Sequence, residues 1–444
     1  MLDAIRRVMR VDELRRRFAL TAILLLVYRM GFWVPLPFVD QVAVQARGVV
    51  GTGGDGISDL FRVAAMFAAS DLGTATICGL GVMPYITASI VFQLLGQVYP
   101  PLEALQKDGD QGRRKINEYT RVATIVVALV QSYWWLLSFN TGGADLILDG
   151  FSGWVWLACG AVIVTSGTSV LMWVSEQIDN FGIGNGVSLL IVAGIVSRLG
   201  SLLGGVSSES IDSLATSSEF GPEKVVLLVC LICFVVSMIV CLTQCQRKVP
   251  LRSARLGQSS LSGKHFLPLR MSQAGVMPVI FASSVLLLPA FAIKYFTSGG
   301  GRWAAILLDM FSNPTSVCYS VIYVGLIFFF CYFWVAVSFN PKQIADGLKD
   351  QCVFVPGYRP GRATEIYLES VMGRLTFVGG LFLSVLAVFP QICGSVFGLS
   401  PGVASFCGGT GMLIVVSVVL DMVRRVDSFL IARGGRCILA DDSD

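Results

Sequence analysis

Twelve cysteines and a single histidine are the residues of this 444-residue chain whose chemistry is quickest to test. Cys230 with Cys233, and Cys241 with Cys245, have spacings at which two thiolates could share a soft metal or a redox couple. Both pairs lie in or at the end of one hydrophobic segment without a second cluster, where cysteine behaves as a small hydrophobe. No metal is expected. His265 is the only histidine, so zinc sites with paired histidines and Ser-His-Asp triads are excluded. Gly182, Gly184 and Gly186 in FGIGNGV superficially suggest a phosphate loop, but no strand–helix–strand context surrounds them and they open an apolar helix. Small residues there let helices approach closely. No cofactor and no catalytic residue are expected, and the chain does not read as an enzyme.

What the apolar segments offer instead is aliphatic side chains near starts rich in Gly and Pro. Val82 and Ile86 flank Pro84, Val187 and Ile191 follow Gly186, Ile280 follows Pro278, and Ile414 follows Gly408, Gly409 and Gly411. Spacings of four put Val82 with Ile86, and Val187 with Ile191, on one helix face. Taken alone, these are ordinary lipid-facing or core positions.

Such segments need a membrane. Hydrophobic residues make up 54% of the chain and charged residues 14%, against roughly 25% charged in soluble domains. A mean hydropathy of +0.72 leaves too little polar surface to cover a soluble globule of this size. At about 20 residues per spanning helix, ten spans use roughly 200 positions. Ten apolar runs are present, at 18–34, 75–98, 119–139, 151–174, 183–203, 225–242, 274–296, 317–339, 371–389 and 408–423. Of the 33 Lys and Arg residues, 24 fall in the N-terminal arm, the alternate connections and the C-terminal tail that share one side. Positive charge is retained on the cytoplasmic side, so both termini are read as cytoplasmic. Residues 1–17 are basic and amphipathic, without a cleavage site, and read as an arm lying at the headgroups.

Two of the basic connections, 243–272 and 340–370, are longer than topology requires. They read either as docking surfaces for a cytosolic partner or as orientation anchors. On the other side, 51–73 carries Leu60, Phe61, Val63, Met66 and Phe67 in a stretch too short and interrupted to span. It fits a half-helix dipping into the bundle, or an amphipathic helix on the surface. Acids and bases are nearly absent from mid-span, which weighs against a secondary transporter with inverted repeats, the alternative of a different class. A basic stripe with interleaved aromatics, the mark of nucleic-acid binding, is missing.

The strings GLGVMPYITASIVFQLL, KDGDQGRRKINEYTR, SEQIDNFGIGNGVSLLIVAGIV, LPLRMSQAGVMPVIFASS, FNPKQIADGLKD, VFVPGYRPGRAT and GGTGMLIVVSVVLDMV resemble, in this order, blocks of the SecY family, the channel subunits of the bacterial protein translocon. The similarity runs from about Glu13 to Arg433. It implies an all-α polytopic membrane protein of ten transmembrane helices in two pseudo-symmetric five-helix halves, an inverted repeat closing like a clamshell. The implied parts are the arm 1–17, an N-terminal half 18–203, a hinge connection 204–224, a C-terminal half 225–423 with loops 243–272 and 340–370, and a tail 424–444.

The resemblance further implies a protein-conducting channel. It would pass unfolded polypeptides across the bacterial plasma membrane and release hydrophobic segments sideways into lipid, driven by the SecA motor ATPase or the ribosome. The pore ring maps onto Val82, Ile86, Val187, Ile191, Ile280 and Ile414. A re-entrant plug helix maps to about 57–74, with Ala65, Met66, Phe67, Ala68, Ala69, Ser70 and Leu72; where this chain reads Ala65 to Ser70, relatives often carry Asn, Phe, Ser, Gly, Gly. Arg359 in PGYRPG, with Arg247, Lys248, Arg252 and Arg255, maps onto the docking loops. Implied partners are SecE and SecG-like small subunits, SecA, the ribosome through rRNA, signal sequences, nascent polypeptides and the lipid bilayer.

Overall fold

A computed structural model describes residues 11–40, 75–107, 110–141, 153–197, 222–253, 265–271, 275, 277–279, 281–282, 285–286, 289, 310–311, 316–396 and 410–432. The plug stretch, Ile280, Arg255 and most of the hinge connection lie outside these residues. The chain divides into two compact units, Met1–Ser201 with Val418–Asp444, and Leu202–Ser417. Eleven helices are named below: α1 Asp12–Gly31, α2 Met83–Val98, α3 Pro100–Lys107, α4 Asp110–Thr141, α5 Trp154–Phe181, α6 Gly186–Ser197, α7 Pro222–Gln244, α8 Val317–Ser338, α9 Pro341–Asp350, α10 Arg362–Val396 and α11 Thr410–Ala432. Four described segments are long and apolar enough to cross a membrane: Arg114–Leu137, Trp154–Phe181, Val317–Asp350 and Arg362–Phe389.

In the first unit, α4 and α5 pack along their length because small and hydroxylated residues line the seam. A Cβ on Gly160 would meet Phe38 and Leu136 at 2.7 Å, and one on Gly167 would lie 2.4 Å from the Ile77 carbonyl oxygen. Ser132 donates to the Ala161 carbonyl at 3.1 Å, and Thr165 donates back along its own helix at 2.7 Å, so neither of these hydroxyls is stranded in lipid. Arg121 of α4 and Glu176 of α5 form a two-pronged ion pair at 2.5 and 2.6 Å.

Two apolar clusters mark opposite ends of α5. One joins Leu36, Phe38, Leu80, Trp135, Leu136 and Leu157; the other joins Leu14, Ile183 and Val426. From Leu157 to its last residue Phe181, α5 extends about 36 Å at 1.5 Å per residue, enough to cross the hydrocarbon with room at both ends. Trp33, Trp134 and Trp154, all exposed, lie near the first end, where a water–lipid boundary suits their amphipathic rings.

The second unit adds what a hydropathy profile does not predict, a three-stranded antiparallel sheet. Strands β1 Gln246–Ser253, β2 His265–Arg270 and β3 Val353–Phe354 are ordered β2-β1-β3. Alternation decides its faces: Val249 and Leu269 are buried while Lys248, Pro250, Arg252 and Pro268 are exposed. The buried face packs on Phe339, Val355, Leu368, Val371 and Met372, tying the sheet to α9 and the start of α10. Deeper in α10, a Cβ on Gly379 would lie 2.6 Å from the Met271 carbonyl oxygen, and Gly380 admits the Phe328 ring of α8.

Candidate functional site

The aliphatic positions sit where their helices begin. Val82 is the cap of α2: its carbonyl accepts the Ile86 amide at 3.1 Å, and its side chain is 1% exposed. Pro84 in the first turn gives up an N–H that has no intrahelical partner there. Ile86 is half-buried one turn on. Val187 is half-buried just past the start of α6 and Ile191, one turn later, is 4% exposed. Ile414 in the second turn of α11 is 2% exposed and belongs to the other unit. Val82 thus caps the helix that carries Ile86, and Val187 and Ile191 share α6, while Ile280 and Ala65, Met66, Phe67, Ala68, Ala69, Ser70 and Leu72 lie outside the described residues.

The two long basic connections are one object. Arg252 pairs with Phe354 and Ser253 with Val353, so the strand from 246 to 253 and the loop after α9 share a sheet. Arg247, Lys248, Arg252, Arg270 and Arg359 are all exposed on this assembly, and Arg255 lies outside the described residues. The PGYRPG turn is built rather than loose. Gly357 at φ +92° and Gly361 at φ +104° take backbone conformations that side chains disfavour. Tyr358 stacks on Tyr367 with ring centroids 4.2 Å apart, and the buried Thr364 hydroxyl donates to the Arg359 carbonyl at 2.9 Å. The Arg359 guanidinium is therefore presented from a fixed backbone, which suits bidentate pairing with phosphate or carboxylate.

A third arrangement surrounds the FGIGNG string. Gly184 at φ +104° turns the chain between α5 and α6. The Asp179 carboxylate accepts the Gly186 amide at 2.7 Å, and Asn185 caps α6 by accepting the Ser188 amide at 3.3 Å. From α11, Arg425 donates to the Gly184 carbonyl at 3.4 Å and to Asp421 at 3.0 Å. Sequence reasoning noticed the glycines but not Asp179 or Arg425, because a carboxylate seven residues before the amide it accepts leaves no recognisable spacing.

Among the described residues no group of three or more His, Cys, Asp or Glu side chains is placed to hold a metal ion. Cys241 and Cys245 bring their sulfurs to 4.0 Å at the end of α7. Partial desolvation, and then the neighbouring Cys241 thiol, push the Cys245 thiol above its usual range, away from the thiolate that binds metals.

Residues 76–423 match the SecY family. The chain is 38% identical to the protein translocase subunit SecY of Chlamydia trachomatis over 99% of both chains. It is 35% identical to that of Bacillus subtilis over 98% of this chain and 99% of the relative. Among solved structures, it is similar to a protein-conducting channel at TM-score 0.66 and 19% identity, covering 93% of this chain and 91% of that one. It is also similar to Sec61 in the canine ribosome-channel complex from the endoplasmic reticulum, at TM-score 0.63, 19% identity and the same coverage.

Proposed function

The chain belongs to the SecY family, and from that membership we propose that it is the conducting subunit of a protein translocase in a bacterial plasma membrane. It passes unfolded polypeptides across the bilayer and releases hydrophobic segments sideways into lipid. The relatives are named translocase subunits, which leaves the inverted-repeat transporter without support.

The observation that carries the proposed constriction is the burial of uncharged aliphatic side chains at Gly- and Pro-rich helix starts: Val82, Ile191 and Ile414. With Ile86, Val187 and Ile280 they make a pore ring. A ring of branched aliphatics dewets a narrow neck and so holds back ions. It forms no specific hydrogen bonds, so a chain of any sequence slides past. The stretch 57–74 serves as the plug, its residues Ala65 to Ser70 favouring helix over the glycines of relatives by about 1 kcal/mol per exchange.

The proposed topology is ten spans in two halves with both termini in the cytoplasm. The basic sheet and Arg359 then face the cytosol, where SecA or the ribosome docks and supplies the driving energy. The ribosome complex of Sec61, a fold neighbour, supports the second of these. SecE and SecG-like subunits brace the two halves.

Ile86→Asn tests the ring. An amide in the neck holds water and weakens the seal, so export of a precursor with a defective signal sequence is expected to rise about tenfold, the effect of a 1.4 kcal/mol shift in the closed–open balance. Unchanged signal stringency in a stably expressed variant would remove Ile86 from the ring. A stalled secretory precursor that crosslinks to position 191 would confirm the path directly.

A further inference from the structure

The start of α6 is held by two side chains from other helices, and this bears on the constriction, because Val187 and Ile191 are the first residues that α6 presents. Gly186 carries one of the amides at a helix N-terminus that have no intrahelical acceptor. Asp179 of α5 supplies the acceptor at 2.7 Å, placing a carboxylate where the helix dipole favours negative charge. The carbonyl of Gly184, two residues earlier, is held by Arg425 of α11, which is itself steadied by Asp421 one turn back. Around these bonds the turn is wedged: Ile183 is buried with Leu14 and Val426, and its amide donates to the Thr21 hydroxyl at 3.3 Å. On α11, Ile414 precedes Asp421 by two turns and shares its stripe.

We propose that Asp179 and Arg425 are positioning residues for the channel's constriction: together they latch the 182–186 turn and so fix the register of Val187 and Ile191. The apolar wedge supplies burial, which is non-directional and tolerates rotation of α6 about its axis. The two charged hydrogen bonds are directional, and they fix that rotation. Without them α6 still packs against α5, but its aliphatic residues sample the neck in more than one orientation and the seal loosens. The inference rests on the pore-ring reading and names what keeps the ring in place.

The test measures, in cells and in proteoliposomes of the whole translocase complex, export of a defective-signal precursor divided by export of the same precursor with an intact signal. Channel amount and thermal midpoint are followed alongside. Asp179→Ala and Arg425→Met are each expected to raise the ratio about tenfold, the scale of one charge-assisted hydrogen bond. Asp179→Asn keeps an acceptor oxygen and is expected to stay within about twofold of the parent. A purely structural role would lower channel amount and both exports alike; a ratio left at the parent value in Arg425→Met, an exposed site expected to fold, overturns the latch. Ile191→Asn separates the two levels of the argument. If it raises the ratio and the latch variants do not, the ring stands and the latch falls; if it leaves the ratio unchanged, the ring itself is misassigned and the latch falls with it.

Discussion

Gly186→Ala is expected to sharply reduce the amount of folded channel, more than a Gly-to-Ala change at any other described glycine of the first unit. A Cβ at this position would lie 2.0 Å from the Ser175 carbonyl oxygen and 2.7 Å from its carbon. The obstacle is helix backbone, which cannot step aside as a flexible side-chain tip could. To admit the methyl, α6 must back away from α5, which stretches the Asp179 and Arg425 bonds to the turn. Overpacking of this kind costs about 3 kcal/mol, a large share of the roughly 5–15 kcal/mol by which folded domains are stable. A lower thermal midpoint in detergent and reduced accumulation in the membrane are the expected readings. Gly325→Ala is the matched control: nothing lies within 4 Å of its Cβ position on α8, and a helical Gly-to-Ala exchange gains up to about 1 kcal/mol. A Gly186→Ala channel that accumulates and melts like the parent would mean that α6 does not approach α5 as described.

The four described segments able to cross a membrane fall on apolar runs legible in the sequence, because a membrane helix announces itself by composition alone. Their ends were not legible. The apolar run 119–139 lies inside a helix that starts at Asp110, since DQGRRKINEYTR favours helix yet reads as polar. The run 151–174 continues as helix to Phe181, and the next helix starts at Gly186, three residues past the start of the run 183–203. The basic connections were noticed for their charge, but their sheet was missed for two physical reasons. Pro250 and Pro268 interrupt the alternation that marks strands, and they are tolerated because β2 is an edge strand and β1 meets β3 only at Arg252 and Ser253. The decisive pairing joins positions 252 and 354, a tertiary contact that no local pattern encodes. The aliphatic positions are a different case. Their types and spacing are plain in the sequence, yet nothing local separates Ile191 from any other buried isoleucine, and only the family resemblance singled them out.

That same sheet explains why reversing the charge of Arg359 is expected to abolish productive docking while the membrane fold survives. The residue is exposed, and the described fold places no ion pair on its guanidinium among the described residues, so Arg359→Glu should move stability by no more than about 0.5 kcal/mol. Its backbone is set by the Thr364 bond and the Tyr358–Tyr367 stack, so the guanidinium meets a partner with little ordering left to do. An arginine so presented is the kind that dominates an interface, worth about 2 kcal/mol or more on truncation. Glutamate goes further, setting like charge against the phosphate or carboxylate that the guanidinium would pair with, so affinity for the proposed partners, ribosomes or SecA, is expected to fall at least about thirtyfold at physiological salt. Arg359→Lys keeps the charge but loses the fork, and should fall between the two. Measured by co-sedimentation with ribosomes and by SecA-driven export from vesicles, normal binding and normal rates in Arg359→Glu would move the docking surface away from this turn. Loss of both with an unchanged thermal midpoint would assign the tip of the PGYRPG turn to partner recognition rather than to folding.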